Sequence, residues 1–173
     1  MPRVADYLIR RATEHDASRI AEIHVETWRA AYRGLIPDDF LAGMDVQRRA
    51  LTWKSIIGAP DEVVLVALRG ERIVGFCSFL RSRDSAAPPE IGEVAAFYAA
   101  PSEWGRGAGR SMMAATLDHA AGHGYVAVTL WVLSSNERAK RFYSKAGFMP
   151  DGAEQDDERL GFPIHEIRYR RDL

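Results

Sequence analysis

The sequence lacks the features of disulfide-rich, membrane-spanning or secreted proteins. One cysteine, Cys77, occurs in 173 residues, so no internal disulfide can form and a reducing compartment such as the cytoplasm is expected. Because Cys77 lies in an apolar segment, we interpret it as a buried structural thiol rather than a nucleophile. No apolar run approaches the roughly 18 residues of a membrane span. Residues 1–16 contain no hydrophobic segment typical of a secretory signal.

An excess of charge of either sign is also missing. The 23 Lys and Arg residues nearly balance the 24 Asp and Glu residues, which gives a formal net charge of −1. Such a protein has no long-range attraction for nucleic acid or for an anionic membrane, so neither is an expected partner. Any anion site must therefore be built locally. With 47% hydrophobic and 27% charged residues, the composition predicts one globular domain over residues 1–173.

Hydrophobic patterns and turn residues predict strands and helices that alternate along the chain. Residues 62–82 form the clearest hairpin, because two β-branched runs flank a tight turn. The nearly unbroken apolar run at 125–133 predicts a strand that is buried on both faces. The predicted order is a strand (7–13), helices (14–32, 37–44 and 45–58), the hairpin, a strand (91–100), a helix ending near 122, a strand (125–133), a helix (136–147) and two strands (148–155 and 165–173). This order predicts a mixed α/β layer domain.

Three glycines, Gly105, Gly107 and Gly109, stand at alternate positions where the predicted central helix begins. The first four N–H groups of a helix have no partner within the helix, and the helix dipole adds positive charge there. A phosphate can accept several of these hydrogen bonds if the backbone comes close, which glycine permits. The segment therefore predicts a phosphate-binding loop, and the alternative is a flexible turn.

Two familiar nucleotide-binding motifs do not fit this loop. A Walker A loop needs Lys-Ser or Lys-Thr after its last glycine, and none follows here. A dinucleotide fingerprint needs a third glycine where Arg110 or Met112 stands. The pattern that fits is [QR]-x-x-G-x-[GA] over residues 104–109, with Trp104 where Gln or Arg is usual. This departure removes one polar side chain from the loop.

A second motif follows the loop at residues 136–148. It is N-x-x-A-x-x-F-Y-x-x-x-G-F, and every place is matched: Asn136, Ala139, Phe142, Tyr143, Gly147 and Phe148. With the loop, and with the hydrophobic strand that ends in the pattern YxxP, the sequence resembles the GCN5-related N-acetyltransferase (GNAT) superfamily over about residues 7–171. The resemblance implies a mixed, mostly antiparallel central sheet with flanking helices and a splayed central strand pair.

The resemblance also implies a reaction and a co-substrate. The reaction is transfer of an acetyl group from acetyl-CoA to a primary amine by direct attack. The alternative is a module of the same fold that binds an acyl-CoA as a sensor without turnover. No metal is expected, and a homodimer is a further possibility.

In this family the loop N–H groups hold the diphosphate, and backbone N–H groups of the fourth strand hold the acetyl carbonyl. Arg138 and Arg141, three apart on one helix, are expected near the adenosine end, with Lys140 and Lys145 in the same basic rim. Asn136 would bond the cofactor or a water, or cap its helix. The expected cofactor-binding residues are Phe97, Tyr98, Ala99, Arg106, Gly107, Ala108, Gly109, Arg110, Asn136, Arg138 and Arg141.

Direct attack on a thioester needs a base for the amine, donors for the oxyanion and an acid for the departing thiolate. Tyr143 is the predicted acid. Glu93 is the predicted base, acting through ordered water, and the alternative is a salt-bridged strand residue. Period-two counting places Glu93 on one face with Ala95 and Phe97. His24 and His165 are weaker candidates for the base.

The resemblance places the acceptor pocket between the first helices and the last hairpin. Trp28 and Tyr32, four apart on one helix, are the predicted substrate-binding residues, and core packing is the alternative. Acidic residues nearby would attract a cationic amine or are simply solvated: Glu26, Asp38, Asp39, Asp156, Asp157 and Glu158. Amino acids, polyamines, aminoglycosides and protein N-termini all remain open as acceptors.

Overall fold

The computed structural model describes residues 7–173, in which seven strands form one sheet. The strands are β1 (Leu8–Arg11), β2 (Glu62–Arg69), β3 (Arg72–Arg81), β4 (Ile91–Ala99), β5 (Ala127–Leu133), β6 (Met149–Asp157) and β7 (Ile164–Asp172). Their order across the sheet is β1-β2-β3-β4-β5-β7-β6. Only the β4–β5 pair among the described strands is parallel. The predicted mixed, mostly antiparallel sheet is confirmed.

Five helices within the described residues connect these strands, close to the predicted positions. They are α1 (Ala17–Ala31), α2 (Asp38–Ala42), α3 (Val46–Ile57), α4 (Ala108–Gly122) and α5 (Glu137–Lys145). A short 3₁₀ turn at Glu14–Asp16 directly precedes α1. Asp45 caps α3, because its carboxylate accepts the backbone N–H of Arg48 at 2.8 Å.

The helices cover both faces of the sheet and bury two apolar layers. On one face, Ile20 of α1 and Trp53 of α3 pack against Phe76 of β3. On the other face, Met113 of α4 packs with Leu130 of β5 and with the inner side of α5. Contacts on both faces explain why β5 is almost continuously apolar.

Cys77 is fully buried in the layer beneath α4. Burial raises the pKa of its thiol to about 12, and the hydroxyl of Thr116 lies 3.4 Å from its sulfur. A thiol that stays protonated and shielded from solvent is a structural residue, in agreement with the interpretation from the sequence.

The central strands β4 and β5 pair at three positions only. Ile91, Gly92 and Glu93 oppose Ala127, Val128 and Thr129, and no pairing continues beyond them. The two strands therefore separate toward their carboxyl ends. On the side facing β5, the backbone of residues 94–99 has no strand partner. This is the predicted splayed strand pair.

A β-bulge in β4 changes which side chains share a face. Phe79 of β3 opposes Val94, but the preceding Ser78 opposes Ala96, so that Ala95 has no partner in β3. Val94 and Phe97 consequently both face α4 and α5. The prediction that Glu93 shares a face with Ala95 and Phe97 is wrong, because period-two counting fails across a bulge. The register instead places Glu93 on the α1 face.

Among residues 7–173, no helix has the length and apolar character that crossing a membrane requires.

Candidate active site

The open end of the β4–β5 pair forms a cleft of about 670 Å³. It extends from the glycine loop, between the two strands, to the end of α1. Most of the residues predicted from the sequence line it together: Tyr32, Phe97, Tyr98, Ala99, Gly107, Gly109, Arg110, Asn136, Arg138, Arg141 and Tyr143. Residues from distant parts of the chain thus share one site.

The first turn of α4 presents backbone donors to this cleft. Gly107 is the residue before the helix, and its φ of 104° is a conformation that side-chain-bearing residues rarely adopt. No side chain caps the helix. The N–H groups of residues 107–110 make no hydrogen bond within the described part of the chain. A 15-residue helix therefore offers unpartnered N–H groups and its positive dipole end at the mouth of the cleft.

Two residues of the predicted loop contribute differently. The N–H of Arg106 donates to the carbonyl of Glu103 at 3.2 Å, so it is not free for an anion. The Arg106 side chain is exposed and does not line the cleft. Ala108 is fully buried, because its methyl group packs with Met112 and Val74, so only its backbone N–H remains available. The unpartnered N–H groups of the loop therefore begin at Gly107, and contact of Arg106 with the cofactor stays a prediction.

Cations surround the mouth of the cleft on the loop and α5. Lys140 is already engaged, since its ammonium donates to the Ser134 carbonyl at 2.7 Å and pairs with Glu137. Burial lowers the pKa of the Arg138 guanidinium from its ordinary value, yet arginine stays charged. Cleft-lining cations without an ion pair among residues 7–173 are Arg110, Arg138, Arg141, Lys145 and Arg171, the last of which donates to the carbonyl of Ala146.

Trp104, the residue that departs from the family pattern, makes two contacts in the site. Its indole N–H donates to the carbonyl of Ala99 at 2.8 Å. The Arg138 guanidinium lies over its ring, with the central carbon 3.2 Å from the ring centroid. From the sequence, we predict only that Trp104 removes one polar side chain from the loop. The Arg138 contact joins residues of the loop and of α5 that are far apart in sequence, so no local pattern could have revealed it.

Asn136 begins α5 as its N-cap. Its side-chain oxygen accepts the N–H of Ala139 at 3.1 Å, which satisfies one free donor of the helix. The residue also lines the cleft and is nine-tenths buried. The capping interpretation is confirmed, and contact with the cofactor stays a prediction.

Tyr143 projects from α5 into the cleft, where it is half-buried. Phe97, Phe142 and Phe148 surround its ring, with centroids 5.4–6.2 Å away. Burial raises the pKa of its hydroxyl well above the ordinary value, and nearby Tyr98 adds to the effect. The hydroxyl makes no hydrogen bond to the described residues. It is therefore a protonated donor without a protein partner.

Glu93 is buried, and the protein itself satisfies its carboxylate. One oxygen accepts the backbone N–H of Arg83 at 2.9 Å, and the other accepts the Arg83 guanidinium at 2.5 and 3.2 Å. Glu93 does not line the cleft, which begins one residue later at Val94. This geometry is that of a salt-bridged strand residue, so the role of general base stays a prediction.

The end of α1 closes the cleft opposite the glycine loop. Thr27, Ala31 and Tyr32 line it, whereas Trp28 does not. Residues 27 and 31 are four apart and share the face toward β4, which turns Trp28 aside. Trp28 contacts Tyr32 edge-on, with centroids 4.9 Å apart, and packs against His24. Trp28 as a substrate-binding residue is thus not supported by its position.

The charged and titratable residues predicted for the acceptor side are exposed or already engaged. Asp157 binds Arg159, and Asp156 binds His165 at 2.8 Å. The hydrogen bond to Asp156 raises the pKa of His165, and Glu154 adds to the effect. Burial lowers the pKa of His24 to about 3. Neither histidine lines the cleft, and neither do the six predicted acids, which are Glu26, Asp38, Asp39, Asp156, Asp157 and Glu158.

Comparison with known proteins identifies the family. The model of the acetyltransferase (GNAT) family matches residues 28–148. This chain belongs to the GNAT family. Over 167 residues it is 30% identical to the uncharacterized N-acetyltransferase YuaI of Bacillus subtilis, covering 92% of this chain and 89% of that protein.

Solved structures share this GNAT fold. The PaiA N-acetyltransferase of Thermoplasma acidophilum in complex with coenzyme A has a TM-score of 0.78 and 17% identity, covering 97% of this chain and 99% of that one. The YncA protein of Salmonella typhimurium, a putative acetyltransferase with its cofactor acetyl-CoA, has a TM-score of 0.71 and 22% identity, covering 97% and 94%. These findings confirm the predicted family, fold and N-acetyltransferase class, and the names of both structures agree with the predicted donor.

Proposed function

We propose that this protein transfers an acetyl group from acetyl-CoA to a primary amine in the cleft between β4 and β5. The proposal depends on one observation, which is that two kinds of unpartnered donor share the same cleft. The free N–H groups at residues 107–110 and the partnerless hydroxyl of Tyr143 open onto one continuous cleft. The N–H groups suit the diphosphate of acetyl-CoA, and the Tyr143 hydroxyl suits the thioester sulfur at the other end of that molecule.

The residues divide into a phosphate end and a reaction centre. The backbone N–H groups of Gly107 to Arg110 would bind the diphosphate, and the unpaired cations of the rim would meet the remaining phosphate. Unpaired backbone N–H groups of β4, near Phe97 and Tyr98, would hold the acetyl carbonyl and stabilise the oxyanion. Acetyl-CoA, when bound, supplies the activated thioester.

Tyr143 is proposed as the general acid. Because its pKa is raised, its proton is retained at neutral pH and is available to the departing thiolate. Glu93 is proposed to accept the proton of the amine through ordered water, since it lies on the α1 face of β4, where the amine would approach.

The acceptor end of the cleft, at Thr27, Ala31, Tyr32 and Tyr98, has no charged lining residue among those described. We infer a primary amine that enters between aromatic walls rather than one paired with a carboxylate there. We further propose a cytoplasmic location, because the chain has a single cysteine and its donor would be acetyl-CoA. The predicted homodimer is tested by size-exclusion chromatography with light scattering.

A thiol-release assay with acetyl-CoA and a panel of primary amines tests the proposal. Tyr143→Phe removes the acid and is expected to lower kcat by about 10² with little change in coenzyme A affinity. Tyr125→Phe is the matched control, because Tyr125 packs against Phe79 outside the cleft and should retain activity. Binding of acetyl-CoA without thiol release for any amine would favour the sensor alternative, and full activity of Tyr143→Phe would remove Tyr143 from its role.

A further inference from the structure

Trp104 lies between the glycine loop, the end of β4 and the start of α5. It follows the short 3₁₀ turn Pro101–Glu103 and is half-buried. Its ring face contacts one neighbour and its N–H another, so the two contacts use different parts of one side chain. They can therefore be separated by substitution.

The ring face holds Arg138. The guanidinium carbon lies 3.2 Å from the ring centroid, a close cation–π contact. Arg138 makes no hydrogen bond or ion pair with the described residues, so stacking on the Trp104 ring is the interaction that positions its guanidinium. Both residues line the cleft beside Gly105 and Gly107. The contact thus keeps an unneutralised cation next to the free N–H groups of α4.

The indole N–H holds the end of β4. It donates at 2.8 Å to the carbonyl of Ala99, the last residue of that strand. The hydroxyl of Thr27 on α1 donates to the same carbonyl at 3.2 Å. Trp104 therefore connects the glycine loop, through one carbonyl, to the strand and helix that border the acceptor end of the cleft.

We propose that Trp104 is a positioning residue with two separable roles: its ring fixes Arg138 for a phosphate of coenzyme A, and its N–H fixes the end of β4 for the attacking amine. This inference rests on the proposed function. The chain thereby replaces the polar side chain usual at this place of the loop with a stacked arginine from α5. Arg138, rather than Arg141, is assigned to the phosphate.

Two substitutions of Trp104 separate these roles. Trp104→Phe keeps an aromatic face but removes the N–H donor, so the Kd of coenzyme A should stay within about twofold. Its kcat/KM for the amine at saturating acetyl-CoA should fall about threefold to tenfold, the effect of one hydrogen bond. Trp104→Leu removes both contacts and should also raise the Kd about threefold to tenfold. Calorimetric titration measures the Kd independently of turnover.

Arg138→Gln tests the ring contact without touching Trp104. It should raise the Kd of coenzyme A by a factor similar to Trp104→Leu, and combining the two should add little, because one contact is lost only once. Titration with dephospho-coenzyme A identifies the phosphate. An undiminished effect of Arg138→Gln indicates the diphosphate, and a vanished effect indicates the 3′-phosphate. Arg72→Gln, on an exposed arginine outside the cleft, is the control.

Several outcomes would overturn the inference. Equal coenzyme A affinities of Trp104→Phe and Trp104→Leu would exclude the ring role, as would an Arg138→Gln variant that binds both coenzymes normally. Unchanged amine kinetics in Trp104→Phe would exclude the N–H role. If Trp104→Leu unfolds, Arg138→Gln and Trp104→Phe still test the two contacts separately. A wild-type protein that binds no coenzyme A would instead defeat the proposed function itself.

Discussion

Tyr143 and Glu93 differ in how many hydrogen-bond partners the protein gives them. The Tyr143 hydroxyl has none among the described residues, whereas Arg83 satisfies both carboxylate oxygens of Glu93. A group without a protein partner is ready to meet a ligand, and a satisfied group must first exchange a partner. Glu93 can therefore serve as a base only if the exposed guanidinium of Arg83 moves or a water enters beside it.

Glu93→Gln distinguishes the two interpretations of this residue, which are a general base and a salt-bridged structural residue. If Glu93 is the base, kcat should fall by about 10² or more while the Kd of coenzyme A stays unchanged. Arg83→Gln leaves the carboxylate in place, so activity should stay within a few-fold of wild type. A Glu93→Gln protein that keeps its kcat but unfolds at lower urea concentration would make Glu93 a structural residue.

At the scale of elements, the site depends on how α4 begins and how β4 is interrupted. The first turn of α4 has glycine where a side-chain cap would otherwise satisfy the free N–H groups. The bulge at Ala95 places Phe97 with the cofactor-side aromatics and Tyr98 with those of α1. The helix start without a side-chain cap leaves backbone N–H groups available to a ligand, and the bulge makes the side chains of Phe97 and Tyr98 available on opposite sides of β4.

Gly107→Val tests the helix start. Its φ of 104° is strained for valine, so the turn must change and the free N–H groups must shift. We expect at least a tenfold weaker coenzyme A affinity by calorimetry. Gly122→Ala, at the other end of α4 with open space around its Cα, should bind normally and be equally or slightly more stable. Equal affinity in the two variants would contradict the phosphate-binding role.

Element positions followed from the sequence because long periodic segments and turn residues agree along the chain. The run at 125–133 is apolar because both faces of β5 are covered, and Asn136 caps α5 as its residue type indicates. The bulge at Ala95 could not be predicted, since it inserts an ordinary alanine into an apolar strand. Nor could the rotation of α1, which points Thr27 rather than Trp28 at the cleft, because both lie near one helix face.

For the whole molecule, we expect stability to depend on a buried histidine that does not line the cleft. His24 is 6% exposed and its Nδ1 accepts the indole N–H of Trp53 at 3.0 Å. Burial, with a smaller contribution from the charge of Arg49, lowers its pKa to about 3. The folded protein therefore keeps His24 neutral across a pH range in which the unfolded chain binds a proton.

The lowered pKa of His24 makes the folded protein less stable as the pH falls. Below the unfolded-state pKa of about 6.5, the unfolded chain gains a proton that the folded state refuses, so stability falls on acidification by up to about 1.4 kcal/mol per pH unit. His24→Gln keeps an acceptor for Trp53 and should lose this slope between pH 6 and pH 4. Urea unfolding at several pH values measures it. Parallel stability curves for the two proteins would contradict the assignment.

The unpaired Ala95 has a consequence for how this chain can vary. Deleting Ala95 would place Val94 and Phe97 two residues apart, so regular pairing with Phe79 and Cys77 would keep both side chains on the face they occupy now. Regular pairing of the full-length strand, without the bulge, would instead send Phe97 to the side of α1 and Tyr98 to the side of α4. Relatives that are one residue shorter at this point should therefore have a straight strand and the same two walls.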